Sequence, residues 1–414
     1  MNYTSTMQTK TNGRSLPKGW QWARLGDVCD VVNGYGFPEH LQGRIDLPYP
    51  LIKVSDMNRE GAEIFVKTAS HTIDETILKT IGGKVFPPGT VIFPKVGGAL
   101  LTNKKRILGV QATFDNNVMG VIPKNVLSEW LYYWLLTIDL KTLSNVQALP
   151  SIKQSVVADL QIPLPPLDEQ RRIASRLNEQ LAAVESARKA AKEQLYAAWQ
   201  LPSSYLQELF GDTAKHKWNW QKLGEVCELL PSHTIKSIGD TVVTAITTAS
   251  LSENGFLTAG LKTSRMDAKD AKQALVREGE ILIARSNTPD LVGRVSIYPG
   301  NPPNVVASDL TIRIWAGSAC HPPFLTAYLS YLYLSGYWKK MAGGTSGSMK
   351  KITRTQVLEV KIPVPDIETQ KKTVAEMQSK MDNFRQLTQL LEFQLAEINR
   401  LPASLLQEAF AGGL

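Results

Sequence analysis

The chain is written twice. Leu160 opens LQIPLPPLDEQRRI and Val360 opens VKIPVPDIETQKKT. LPSSYLQELFG from Leu201 is answered by LPASLLQEAFA from Leu401, and WQWARLGDVCD from Trp20 returns as WNWQKLGEVCE from Trp218. A sequence that repeats a domain and then a long helical segment folds with internal pseudo-two-fold symmetry and holds two related sites at a fixed separation. At 414 residues there is room for roughly two to four domains, each with its own core.

Each half divides into a mixed region and a helical region. The first mixed region carries short β-type runs, YPLIKVSD from Tyr49 and GTVIFPKV from Gly89, punctuated by Gly, Pro and Asn. TVVTAITTAS from Thr241 and GEILIARSN from Gly279 are the second-half counterparts, and IKVSDMNREG from Ile52 aligns with ITTASLSENG from Ile246. A helix follows in both, where Trp130, Leu131, Trp134 and Leu135 match Phe324, Leu325, Tyr328 and Leu329. That spacing makes one apolar face, to be packed on the sheet. Between this helix and the IPLP/IPVP marker the offset between copies grows from 194 to 200, near MAGGTSGSMKK from Met341. The Gly/Ser-rich segment is either a surface insertion without consequence or a loop whose amides and lysines approach phosphates.

The helical regions start after PLPP and PVP, with Asp168 and Glu368 placing negative charge near each helix N-terminus, where the dipole favours it. Heptads put Ala174, Leu181, Arg188 and Leu195 at one seam position and Leu177, Val184, Ala191 and Ala198 at the other. The second helix gives Val374, Met381, Thr388 and Leu395, then Met377, Phe384, Leu391 and Ile398. The alanine-rich stripe complements the large-residue stripe, so the two pair as an antiparallel coiled coil within one chain, with Arg188 and Thr388 as polar exceptions. Leu201-Pro202 and Leu401-Pro402 are expected to stop both helices. The expected fold is therefore α+β: two mixed α/β domains related by pseudo-two-fold symmetry and joined by two long helices. The boundaries are a disordered polar tail over 1–15, a first domain over 16–162, a first helical region over 163–211, a second domain over 212–362 and a second helical region over 363–414. From Asp168 to Gln200 the helix spans about 50 Å, a little over one turn of duplex DNA.

Charge is distributed as tellingly as it is summed. The net formal charge is +8, which permits a polyanionic partner. Thr76 to Phe114 holds no acidic residue but has Lys79, Lys84, Lys95, Lys104, Lys105 and Arg106. Leu310 to Leu358 repeats the pattern with Arg313, Lys339, Lys340, Lys350, Lys351 and Arg354. The tail MNYTSTMQTKTNGRS lacks an apolar stretch, and WLYYWLLTIDL from Trp130 is too short to span a bilayer, so a cytoplasmic protein is expected. Cys29 and Cys227 occupy equivalent places, Cys320 stands alone, and no cysteine or histidine has metal-ligand spacing, so neither disulfide nor metal site is expected.

No Walker loop, Gly-rich cofactor fingerprint or HExxH occurs. NPPN from Asn301 lacks the aromatic that an adenine methyltransferase uses to stack a flipped base and reads as a proline turn. Glu359 and Lys361 form an E-x-K without the preceding acidic residue that a nuclease needs. The chain reads as a recognition device without a catalytic centre or cofactor of its own.

The order of domain, helix, domain and helix resembles the specificity subunit of type I restriction-modification systems. LPKGWQWARLGDV from Leu16, the IPLPPLDEQRRIA run from Ile162 and LPSSYLQELF from Leu201 carry the resemblance. IPVPDIETQKKTVAEM from Ile362 and LPASLLQEAF from Leu401 carry it again. Glu169 of the first copy is Thr369 in the second, which reads as surface drift. The resemblance implies two target-recognition domains, each binding one half of a bipartite, asymmetric double-stranded DNA site, and paired helices that fix the spacer. It also implies two docked methyltransferase subunits that bring S-adenosylmethionine and methylate adenine N6. Restriction subunits with ATP- and Mg-dependent translocation would join them. A scaffold tethering two non-DNA modules would explain the repeat but not the duplicated basic stretches.

Lysine and arginine anchor phosphates, while Asn, Ser, Asp and Arg on loops read base edges. On that ground the DNA-binding candidates in the first domain are Lys53, Ser55, Asp56, Lys95, Lys104, Lys105 and Asn117. In the second they are Arg265, Arg285, Asn287, Arg294, Ser346, Ser348 and Lys350. Arg285 is the sharpest, since it ends a β-type run and precedes the loop SNTPD.

Overall fold

The apolar runs that begin on a glycine become the central strands. Gly89 and Gly279 turn the chain at φ +88° and +83°, conformations that side chains disfavour. The strands that follow, Val91–Pro94 and Ile281–Ala284, are buried at every position. The computed structural model describes residues 16–145, 149–212, 216–235, 238–253, 255–344 and 349–414. The polar tail expected over 1–15 and the candidates Ser346 and Ser348 lie outside the described residues. Two compact units divide the chain: residues up to Lys192 together with Phe393–Leu414, and Glu193–Glu392.

In the first unit a five-stranded sheet runs in the order Cys29–Asn33, Val118–Pro123, Val91–Pro94, Arg106–Leu108, Phe65–Val66. A three-stranded sheet of Thr72–Ile73, Tyr49–Ile52 and Thr113–Phe114 accompanies it. The second unit holds Cys227–Leu230, Thr311–Ala316, Ile281–Ala284 and Val295–Ile297 as one sheet. Its three-stranded partner comprises Leu261–Met266, Thr241–Ile246 and Val305–Ala307. The repeat extends to register. Ile52 faces Phe114 in a parallel pair, and Ile246 faces Ala307 in another. At the edge, Trp22 opposes Pro163 and Trp220 opposes Pro363, so the IPLP and IPVP markers are strands that close each unit. Beside them Arg24 pairs with Asp159 at 2.6 Å and Lys222 with Glu359 at 2.6 Å. The E-x-K pattern is thus one strand edge and one ion pair, and NPPN is a loop in which Asn304 takes φ +60°.

The helices Ser128–Leu136 and Pro322–Leu334 bury the four apolar residues predicted for each against these sheets. Each core is completed by a helix end, in the first unit from the distant segment Phe393–Leu414. Phe410 lies 4.5 Å from Trp130 in the first unit. In the second, Phe210 lies 5.7 Å from Phe324 and 5.3 Å from Tyr328. The first long helix is a single element of 44 residues, Leu167–Phe210, and the second runs Ile367–Ile398 over 32 residues. Ala174 and Leu177 share the first core with Leu406 and Ala409, while Leu206 shares the second with Val374. In both units the start of one helix meets the end of the other, as antiparallel pairing requires. Seam positions are the protected ones throughout, and the polar exceptions stay local: Arg188 pairs with Glu185, and the Thr388 hydroxyl donates to the Phe384 carbonyl at 2.8 Å.

Three sequence expectations are corrected here. Pro202 does not stop its helix. An interior proline costs about 3 kcal/mol, and burying Leu206 and Phe210 beyond it recovers about 1.5–3 kcal/mol for each. In the second copy the helix does end before its proline, and Pro402 sits in the first turn of the helix Leu401–Phe410, where it is tolerated. Second, Cys320 is not alone: its interaction with Cys227, together with burial, pushes the Cys227 thiol up. Third, Thr369 is not surface drift, because its backbone N–H and hydroxyl donate to Asp366 at 2.9 and 2.7 Å, capping the helix where the first copy has Pro166.

The Gln common to DEQ and ETQ is the hinge pin of each unit. Gln170 is buried, accepts from the Leu127 N–H at 2.8 Å and donates to the Pro165 carbonyl at 2.9 Å. Gln370, equally buried, accepts from the His321 N–H at 2.7 Å and donates to the carbonyls of Ala319 at 2.8 Å and Pro365 at 2.7 Å. Each amide fastens a long helix to the short helix on its sheet.

Buried charge distinguishes the units. Arg313 and Glu280 form a two-pronged pair, both contacts at 2.9 Å, and Arg313 also donates to the carbonyls of Leu275, Gln273 and Pro231. Arg313 is thereby removed from the basic stretch that the sequence assigned to the surface. The first unit has Thr90 and Gly120 at these places, and a Cβ on Gly120 would come within 2.6 Å of the Phe114 ring. Lys105, a DNA-binding candidate, is likewise interior: it is fully buried, and its amine donates to Asn103 Oδ1 and the Ile138 carbonyl, both at 2.7 Å. Burial lowers its pKa to about 7, against the opposing pull of Asp139.

Two outcomes are expected. Gln370→Leu strands the His321 N–H inside the second unit, at a cost of about 1–3 kcal/mol; a thermal melt indistinguishable from wild type would contradict the pinning role. For Lys105, the unfolded chain holds a proton that the folded chain has released between pH 7 and the normal lysine range, so stability rises with pH across that window. Denaturant titrations from pH 7 to 9 should show wild type gaining on Lys105→Met, by at most about 1.4 kcal/mol per pH unit. A pH-independent difference would place the amine in solvent.

Candidate nucleic-acid interface

The two central strands end on cations. In the first unit the Lys95 N–H donates to the Asn117 carbonyl at 2.9 Å, and the Lys95 carbonyl accepts from Ile152 at 2.9 Å. In the second the Arg285 N–H donates to the Leu310 carbonyl at 2.8 Å, and its carbonyl accepts from Ile352 at 3.0 Å. Lys95 and Arg285 are therefore the same position in two copies, held on both flanks by backbone. The Lys95 amine donates to Asn33 Oδ1 at 2.7 Å, and Asn33 in turn donates to Gln154 Oε1 at 2.9 Å. Burial lowers the Lys95 pKa, while Asp115 raises it.

Beside each strand end sits a residue that sequence reasoning did not place among the DNA-binding candidates. Gln154 donates to the Val31 carbonyl at 2.5 Å. Arg354, its counterpart, donates to the carbonyls of Leu229 at 2.7 Å and Leu230 at 2.8 Å. The signal was available in the matched offset of 200 from the IPLP marker, but a glutamine and an arginine do not advertise a common role. Arg354 has its pKa lowered by burial and then by the positive charge of Arg285. Arg285 donates to the Asp309 carbonyl at 3.3 Å, and its buried Nε has no hydrogen-bond partner among the described residues.

The other candidates separate by burial. Lys53 and Asn117 gather with Lys95 around Asp115. Asn117 is exposed and donates to Asp115 through both its backbone and side-chain amides at 3.1 Å. Burial raises the Asp115 pKa, an effect opposed by these bonds and by Lys53. The Lys53 amine donates to Gln42 Oε1 at 2.6 Å. Ser55 is exposed, and half-buried Lys104 bonds Asn58. Asp56 is withdrawn from the interface: fully buried, it accepts from the Lys53 N–H at 2.9 Å and from the Ser70 N–H and hydroxyl at 2.8 Å, organising its own loop. Lys105 is withdrawn for the reason given above.

In the second unit Asn287 opposes Lys350 and Ser286 opposes Lys351 in a two-residue antiparallel ladder next to Arg285. The Lys350 amine donates to the Gly344 carbonyl at 3.2 Å, and Asn287 Oδ1 accepts from the Thr288 N–H at 2.9 Å. Arg265 is exposed on the strand Leu261–Met266 and donates to the Gly239 carbonyl at 2.9 Å. Arg294, half-buried, donates to the Leu251 carbonyl at 3.4 Å, lies 3.8 Å from Glu253 and stacks 5.8 Å from the Tyr333 ring centre. Among the described residues no cluster of three or more His, Cys, Asp or Glu can hold a metal, and no helix is long and apolar enough to cross a membrane.

Comparison with known proteins agrees with the duplicated architecture. The type I restriction modification DNA specificity domain matches twice, over residues 17–195 and 215–400. The chain is 22% identical to the MjaVIII type I specificity subunit of Methanocaldococcus jannaschii, over 95% of this chain and 93% of that one. It is 21% identical to the StySPI specificity subunit of Salmonella potsdam, over 97% and 91% respectively. Among solved structures it shares its fold with the HsdS subunit from Thermoanaerobacter tengcongensis, at TM-score 0.65 and 22% identity over 97% of this chain and 98% of that one. A chain solved in a study of type I R-M complex assembly matches at TM-score 0.72 and 22% identity, over 97% and 100%. With both halves matched and the framework preserved from register to helix, the chain belongs to the type I restriction-modification DNA specificity family.

Proposed function

We propose that this chain is the sequence-reading subunit of a type I restriction-modification complex and that each unit binds one half of a bipartite, asymmetric DNA site. The observation that carries this reading is the pair of strand ends: one framework, matched in register, presents Lys95 with Asn117 in one copy and Arg285 with Asn287 and Lys350 in the other. Identical scaffolds with different residues at the rim suit two readers of different half-sites. The long helices set the spacer between those halves.

The same helices suit docking of methyltransferase subunits. Tyr196, Trp199, Leu387 and Leu390 are 64, 54, 41 and 67% exposed on the helical part of the second unit, and large apolar side chains left in solvent mark partner surfaces. Adenine methylation is assigned to those partners, which would bring S-adenosylmethionine, and cleavage to ATP- and Mg-dependent restriction subunits. This chain contributes recognition without catalysis, acting in the cytoplasm where the DNA lies.

A map of N6-methyladenine across the genome, with and without this chain, is the direct test. A bipartite motif with two dissimilar halves should lose its methylation when the chain is removed. An unchanged map would refute the reading, and a palindromic motif would refute the assignment of different half-sites to the two units.

A further inference from the structure

The two strand-end platforms share a backbone but not a charge. Val96 bridges Ser151 in the first unit as Ser286 pairs with Lys351 in the second. The Gly97 N–H donates to the Pro150 carbonyl at 2.8 Å where Asn287 opposes Lys350. Gln154 and Arg354 hold equivalent strands, as described above. Position for position, Lys95, Pro150, Ser151 and Gln154 become Arg285, Lys350, Lys351 and Arg354. Lys153 of the first platform corresponds to Thr353, so the second still carries four cations against two.

These four cations are not neutralised. Among the described residues none forms an ion pair with a carboxylate, and the hydrogen bonds of Arg285, Lys350 and Arg354 run to main-chain carbonyls. Asp309 offers Arg285 its backbone oxygen, while its carboxylate accepts from the Thr234 hydroxyl at 3.1 Å. In the first platform Lys95 instead has Asp115 beside it. Holding two guanidinium groups together without a counter-ion is unfavourable in the free protein and is relieved by an anion between them.

We propose that the platform of Arg285, Lys350, Lys351 and Arg354 is the principal phosphate anchor of the chain, so that the second unit supplies most of the salt-dependent grip on DNA and the first supplies little. The inference rests on the DNA-binding reading above and adds to it an unequal division of labour. The second unit clamps the sugar–phosphate backbone, which carries no sequence information. The first depends on contacts that salt does not weaken.

The test is the salt dependence of binding by the full-length chain to a fluorescein-labelled duplex of random sequence, followed by anisotropy across a potassium chloride series. The slope of log K against log salt changes by about 0.9 for each phosphate contact. Lys350→Ser/Lys351→Ser/Arg354→Gln, which removes three of the four cations of the second platform, should flatten the slope by about 2–3. Lys95→Gln/Lys153→Gln should flatten it by less than half as much. Arg354→Lys loses the clasp on Leu229 and Leu230 but keeps the charge, so its slope should stay at the wild-type value; a fall as large as that of Arg354→Gln would mean a structural role only. The reciprocal Ser151→Lys/Gln154→Arg should steepen the slope. An unchanged slope in the triple variant, or equal flattening from both platforms, would overturn the proposal while leaving DNA binding intact. A wild-type chain that fails to bind duplex at any salt would instead bring down the DNA-binding reading, and this inference with it.

Discussion

Both units close their cores with the end of a helix that lies outside the mixed α/β domain. Phe410, four residues from the chain end, seats 4.5 Å from Trp130, and Phe210 seats among Phe324, Tyr328 and Trp218. Burial of aromatic side chains is among the larger favourable contributions available to a domain, so the helix ends are structural members of the units they enter. A helix whose start is pinned by Gln170 and whose end is buried as Phe210 has little freedom to fray or slide. In the second copy Gln370 pins the start of Ile367–Ile398, and Phe410 anchors the separate helix Leu401–Phe410. Within each unit the seam positions of the helices are the protected ones, as coiled-coil pairing requires.

Duplication within that constraint leaves each copy free to change its filling. Where Arg313 and Glu280 bond inside the second unit, Phe114 occupies the space in the first, and Gly120 is what makes room for its ring. A buried ion pair seldom stabilises more than well-packed apolar groups of the same volume, yet loss of one partner costs about 3–5 kcal/mol. The exchange therefore had to be concerted. Thr369 with Asp366 in place of Glu169 with Pro166 is the same kind of event at a helix N-terminus, where a cap replaces an exposed ion pair to Arg172.

What the sequence reveals about this molecule follows from which interactions are periodic or repeated. The central strands, the apolar helix faces and the heptad seam all recur with a regular spacing or across 200 residues, and the structure contains each of them. Lys95 and Arg285 were legible because a buried apolar run has an end, and a cation there must emerge. Lys105, Asp56 and Arg313 were not, because residue type alone does not say whether a polar side chain faces water. Their partners are main-chain groups such as Ile138 O, Ser70 N and Leu275 O, brought near by the fold and absent from any local pattern. Gln170 and Gln370 lie between these cases: the repeat flagged them, but nothing in DEQ or ETQ specifies a buried amide rather than an exposed one.

This same distinction governs how much of the basic charge is available to a polyanion. Each acid-free stretch loses one cation to the interior, Lys105 in the first and Arg313 in the second, so the difference between the halves lies in where the remaining cations stand and not in their count along the sequence. Gln154 and Arg354 show how the inequality arises at little structural cost. Both side chains donate to the carbonyls of the neighbouring strand, so either satisfies the backbone there, and only the arginine adds charge. A position that secures the fold through its hydrogen bonds can vary in charge without loosening the scaffold. Electrostatic character can therefore diverge between duplicated domains while their register stays locked.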